Sequence, residues 1–185
     1  MTTLDAPRVD RIAAALWTDV PGLDVYVILD CARDTRIHPW IKRRALDYTS
    51  LYRGPIAPVL DRCAPYLVHL YRRESWTREL LSLGWGQSWG IFVRTTEPME
   101  TLRVHFRRFL RVRDEAGRRL VFRYYDPRVL RAYLPTCNEN ELKTVFGTVG
   151  QLCAERADGE AVLSYHNDGG RLGVKETVIA PSVTS

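Results

Sequence analysis

Two carboxylates stand where chemistry could be done. Asp30 closes the apolar run Val25-Tyr-Val-Ile-Leu29, and Asp126 closes the run from Arg119 to Tyr125. In open α/β sheets, ligands bind at the carboxyl ends of strands. Two carboxylates placed there could hold a metal or work as general acid and base. Each also has a structural alternative. Asp126 precedes Pro127, which suits the first turn of a helix that Asp126 would cap, and Asp30 could cap the following segment or pair with an arginine. Other chemistry finds less support. The four histidines (His38, His69, His105, His166) are scattered, the four cysteines form no C-x-x-C pair, and no G-x-S-x-G surrounds Ser88 or Ser164. Gly84-Trp-Gly-Gln-Ser-Trp-Gly90 has the wrong spacing for a dinucleotide loop and precedes a strand, so it reads as a turn that delivers Trp85 and Trp89 into packing. No metal and no cofactor is expected.

The second candidate is a charge anomaly. Arg103 to Arg131 holds ten arginines against Asp114, Glu115 and Asp126, a local +7 in a chain whose net charge is +5. The remainder therefore sums to 5 − 7 = −2, and the basic character is local. Arginine outnumbers lysine 24 to three across the chain, and its planar fork binds carboxylates bidentately and stacks on aromatics. The block reads in three ways: a solvated helix face, a nucleic-acid-binding module with arginines interleaved among aromatics as in Phe122-Arg-Tyr-Tyr125, or a protein-docking face. Near-absence of lysine and lack of a recognised nucleic-acid motif favour the protein partner.

The elements that must position these residues follow from periodicity. Val9, Ile12, Ala13 and Leu16 predict a helix over 6–19. Val25–Leu29, Tyr66–Tyr71, Trp89–Val93 and Arg119–Tyr125 read as strands, and Ser75–Leu83 as a helix with Trp76, Leu80 and Leu83 on one face. The segment 33–47 reads as partly helical, and 51–55 as a loop. Pro98–Arg111 reads as an amphipathic helix with Arg103, Arg107 and Arg111 at i, i+4 and i+8 on its outer face. Asp126-Pro127 opens a helix to Leu134, Asn138-x-x-Glu141 is a capping box, and Asp158-Gly159 joins two strands in a C-terminal hairpin. Apolar strands separated by helices predict an α/β fold with a mainly parallel sheet of about four strands flanked by helices. Residues 1–166 are expected to form a single domain, and 167–185, rich in Gly, Ser and Thr, a flexible tail.

Length and composition agree with one globular domain: 185 residues, 45% apolar and 26% charged. The N-terminus lacks the pattern of a signal peptide, and no apolar run approaches the ~20 residues that span a bilayer. A soluble cytoplasmic protein with reduced cysteines is expected.

The stretch from Leu102 to Leu134, LRVHFRRFL through the D-x-x-G turn to LVFRYYDPRVLRAYL, resembles the adaptor-chaperone domain of bacterial type VI secretion systems, the Tap or TEC proteins. Tyr26-Val-Ile-Leu-Asp30, Ala64-Pro-Tyr-Leu-Val68, Trp89-Gly-Ile-Phe92 and Val145-Phe-Gly147 follow the same order of elements, so the resemblance spans about Val25 to Val149. It implies a non-enzymatic protein that holds an effector toxin and helps load it onto the VgrG spike. The matching motif positions are Arg123, Tyr125, Asp126, Pro127 and Arg128. Arg103, Arg107 and Arg111, from the outer helical stripe, and Arg123, Tyr125 and Arg128, from the motif, are candidate partner-binding residues, with Asp30, Asp126 and Pro127 as structural motif positions. A nucleic-acid-binding module is the alternative, and a hydrolase using Asp30 and Asp126 comes third.

Overall fold

A computed structural model describes residues 4–17, 22–113 and 117–179. Helix α1 (Ala6–Leu16) starts at Asp5, whose carboxylate accepts the Arg8 N–H at 2.9 Å, with Pro7 in its first turn. Then come β1 (Asp24–Asp30), α2 (Ile37–Arg44), β2 (Tyr48–Ser50), α3 (Pro58–Asp61), β3 (Pro65–Leu70), α4 (Ser75–Gly84), β4 (Gly90–Thr95) and α5 (Met99–Arg107). The chain continues through β5 (Arg111–Arg113), β6 (Arg119–Val121), α6 (Pro127–Tyr133), α7 (Glu139–Phe146), β7 (Gln151–Glu155), β8 (Ala161–Asp168) and β9 (Arg171–Val178).

Among the described residues, seven strands form one sheet in the order β2-β3-β1-β4-β7-β8-β9, and every neighbouring pair is antiparallel. The expectation of a mainly parallel, four-stranded sheet is therefore wrong. The strand runs misled because both faces of this sheet are covered. Val25, Val27 and Leu29 pack in a core with α1, α2 and α4, while Tyr26 and Ile28 pack in a second core with α5, α6 and α7. An unbroken apolar strand reports burial on both faces, and parallel pairing is only the commonest way to achieve that. The central pair is tight: a Cβ on Gly90 would sit 2.1 Å from the Ile28 carbonyl oxygen, so glycine is required where β4 meets β1.

Three further expectations are corrected. Arg119–Tyr125 does not join the main sheet. Only Arg119–Val121 is strand, and it pairs with β5 in a separate two-stranded hairpin. Helix α5 ends at Arg107 and Arg111 opens β5, so the three arginines do not share one helical stripe. The helix stops because hydrogen bonding tightens to i→i−3 steps, from Arg108 to His105, Phe109 to Phe106 and Leu110 to Arg107, and this turn delivers Leu110 to the second core. Finally, β8 runs on to Asp168, and β9 pairs with it along all eight residues after a turn at Gly169-Gly170, both at positive φ. Residues 167–178, expected in a flexible tail, thus belong to the sheet, because the two glycines make a hairpin turn here. Residues 180–185 of that tail lie outside the described residues.

The capping box at Asn138 and Glu141 forms as expected. The first helix is bound to the last strands: Arg8 reaches the Gly159 carbonyl (3.0 Å) and Glu160 (2.7 Å), and Arg11 reaches the Ile179 carbonyl (2.7 Å).

Candidate functional site: an arginine-rimmed groove

The motif Phe122-Arg-Tyr-Tyr-Asp-Pro-Arg128 links the β5–β6 hairpin to α6. Arg123 donates to Asp30, which is 1% exposed at the end of β1 and also accepts the Ala32 N–H at 3.0 Å. That bond to Asp30 raises the Arg123 pKa. Tyr124 is buried and donates to the Phe106 carbonyl at 2.9 Å. Tyr125 is buried beside Asp30, and desolvation followed by that carboxylate's charge pushes its phenol pKa up. Asp126 caps α6 through the Arg128 N–H (2.9 Å) and receives the Arg128 guanidinium at 3.0 and 2.6 Å. Burial raises the Asp126 pKa, but the bonds and charge of Arg128 outweigh it and the net shift is downward. That is away from the near-neutral range a general acid uses.

Most of the arginine block is occupied within the fold. Arg103 pairs with Glu100 (2.6 Å), Arg108 reaches Nδ1 of His105 (3.1 Å), and Arg131 donates to the Glu155 carbonyl (2.6 Å). Arg107 turns inward. Its Nε donates to the Leu51 carbonyl (3.1 Å), and its Nη2 donates to those of Ser50 (3.0 Å) and Tyr52 (2.7 Å). Burial first, then the nearby charges of Arg103 and Arg53, lowers its pKa. Arg107 therefore pins the chain after β2 against α5. Of the sequence candidates, Arg107 and Arg111 come together at one concave surface, Arg123 and Arg128 are tied to Asp30 and Asp126, and Arg103 is half-buried and paired with Glu100.

That surface is a groove of about 500 Å³ between the 51–60 segment and the β5–β6 hairpin. Leu51 and Leu110 line it from the core side, both buried, while Leu60 (56% exposed) and Val121 (62%) stand on its walls. Register places Arg111 directly opposite Val121, on one face of the hairpin. Arg53, Arg107 and Arg111 form the cationic margin. Sequence reasoning missed Arg53, Leu60 and Val121. The one available signal was Val59-Leu60 directly after the proline-punctuated stretch Pro55-Ile-Ala-Pro58, where two large aliphatics lack a helical or strand period that would bury them.

Two other polar clusters serve packing. Glu155 is buried and accepts the N–H groups of Gly86 (2.5 Å) and Ser88 (2.9 Å), which holds the 84–90 turn that buries Trp85 and Trp89 as expected. Asp61 accepts from the Tyr66 hydroxyl (2.5 Å) and contacts Nε2 of His38 (2.8 Å), while Lys42 donates to Tyr66 (2.9 Å), a network joining α2, α3 and β3. Among the described residues, no group of three or more His, Cys, Asp or Glu side chains could hold a metal ion, and no helix is long and apolar enough to cross a membrane.

Sheet, helical layers and groove together define a three-layer α/β/α domain with an antiparallel sheet and a basic, partly apolar recess. Its family profile is shared: the Domain of unknown function DUF4123 matches residues 25–144, from β1 through most of α7, and the chain belongs to that family. No curated protein and no solved structure matches the chain.

Proposed function

We propose that this protein is a type VI secretion adaptor that binds an effector toxin and promotes its loading onto the VgrG spike. The observation that carries this reading is membership over residues 25–144 in a family associated with type VI secretion effector adaptors. The groove supports it, because a recess with exposed aliphatic walls is a surface suited to binding a partner. Such a protein acts stoichiometrically: burial of apolar surface supplies most of the affinity, and the charged margin sets orientation and association rate. The test is co-expression with a type VI effector toxin and a VgrG spike from the same genome. Co-elution of the effector with this protein, and loss of effector secretion when its gene is deleted, are the expected results. Unchanged secretion from the deletion strain, with no co-elution, overturns the reading.

A further inference from the structure

We propose that the groove between residues 51–60 and the β5–β6 hairpin takes an acidic, amphipathic segment of a protein partner. Its apolar face would pack on Leu60 and Val121, and its carboxylates would meet Arg53, Arg107 and Arg111. The inference rests on the adaptor reading for the source of the segment and on the groove for its chemistry.

Three observations converge. The first is apolar: Leu60 and Val121 stay more than half exposed on facing walls above buried Leu51 and Leu110. Water is displaced favourably from such walls only by another apolar surface. The second is charge. Neither Arg53 nor Arg111 has a salt-bridge partner among the described residues, and all three bonds of Arg107 run through Nε and Nη2. Two Nη1 hydrogens of Arg107 therefore remain for a ligand. The third is crowding: Arg53 and Arg107 line the same recess, and after burial and the charge of Arg103, the charge of Arg53 adds to the lowering of the Arg107 pKa. A carboxylate entering there relieves that repulsion and gains charge-assisted bonds.

A nucleic acid fits less well. Single-stranded chains bind on aromatic platforms for successive bases, and Tyr52 is the one aromatic among the described lining residues. Aliphatic walls instead match the anchors of an amphipathic segment laid in a groove.

The experiment uses the full chain and a short fluorescent amphipathic peptide of Leu and Glu, with Leu/Gln and Leu/Lys counterparts and an oligothymidine as comparators. Fluorescence anisotropy at physiological salt is the readout. The Leu/Glu peptide is expected to bind, the Leu/Gln peptide to bind more weakly, and the Leu/Lys peptide to fail. R53E/R111E and, separately, L60N/V121N should each weaken Leu/Glu binding by about tenfold or more. All four side chains are exposed, so unchanged thermal melting will show that the fold is intact. Equal binding of Leu/Glu and Leu/Gln, indifference to either pair of substitutions, absence of peptide binding, or tighter oligothymidine binding lost in R53E/R111E each overturns the proposal. Effector co-elution that survives both variants would refute the groove while leaving the adaptor reading standing.

Discussion

Arg123→Ala should cost more stability than Asp30→Asn, although each removes one half of the same ion pair. In Arg123→Ala the Asp30 carboxylate, 1% exposed in the intact protein, loses the guanidinium on Oδ2 and keeps only the Ala32 N–H on Oδ1. Breaking a fully buried pair from one side costs about 3–5 kcal/mol. Here the Arg123 side chain is 41% exposed, so water already screens the pair and the expected loss falls to about 2–3 kcal/mol. Asp30→Asn leaves an oxygen for Ala32 and lets the half-exposed guanidinium turn to solvent, for a loss of about 1–2 kcal/mol. The double substitution Asp30→Asn/Arg123→Ala should cost less than the sum of the two single changes, with a coupling of about 1–2 kcal/mol. Urea unfolding followed by tryptophan fluorescence measures all three, and Arg123→Ala should lower Tm by roughly 5–10 °C. A loss below about 0.5 kcal/mol in Arg123→Ala, a reversed order of the two single variants, or strict additivity would refute the reasoning.

Two further predictions concern helix α5. Arg107→Ala removes three bonds to the carbonyls of residues 50–52 and should cost about 2 kcal/mol; equal urea midpoints for variant and wild type would show that those carbonyls are satisfied by water. His105 is buried, with Nε2 on the Val145 carbonyl (2.8 Å) and Nδ1 facing Arg108. Desolvation, with the Arg108 charge, lowers its pKa from 6.5 although the Val145 bond opposes this. The folded state then holds fewer protons on this ring than the unfolded state, so its contribution is fully present above pH 6.5 and is lost as pH falls through the folded pKa. His105→Gln should flatten the decline in stability below pH 6.5 measured by urea titration, and an unchanged slope would assign the decline to other groups.

Local chemistry was legible where a residue acts on its neighbours. Asp126-Pro127 announced α6, Asn138 and Glu141 announced α7, and the Val25–Leu29 run announced β1. Strand direction was not legible, because burial on both faces gives the same apolar run in either orientation. Nor was the fate of the arginines. Spacing places Arg103 and Arg107 on one side of α5, but only tertiary structure supplies the Ser50–Tyr52 carbonyls that draw Arg107 in. The groove was hidden for the same reason, since Arg53, Leu60 and Val121 are separated along the chain and meet only when the hairpin closes over the 51–60 segment.

The clasp between α1 and the last strands has a consequence for biosynthesis. The ribosome releases α1 first, yet Arg8 and Arg11 find their acceptors only at Gly159, Glu160 and Ile179. Until those residues emerge, the stripe of Val9, Ile12 and Leu16 lacks part of its cover, and the core that also contains Val162 and Ile179 stays open. The last stage of folding therefore waits for β8 and β9, and a nascent chain stalled before β8 would display this apolar stripe to the cell's chaperones. The family-matched stretch excised alone, residues 25–144, would lack both ends of the clasp together with β7, β8 and β9, and should emerge as an aggregation-prone fragment of an otherwise self-closing domain.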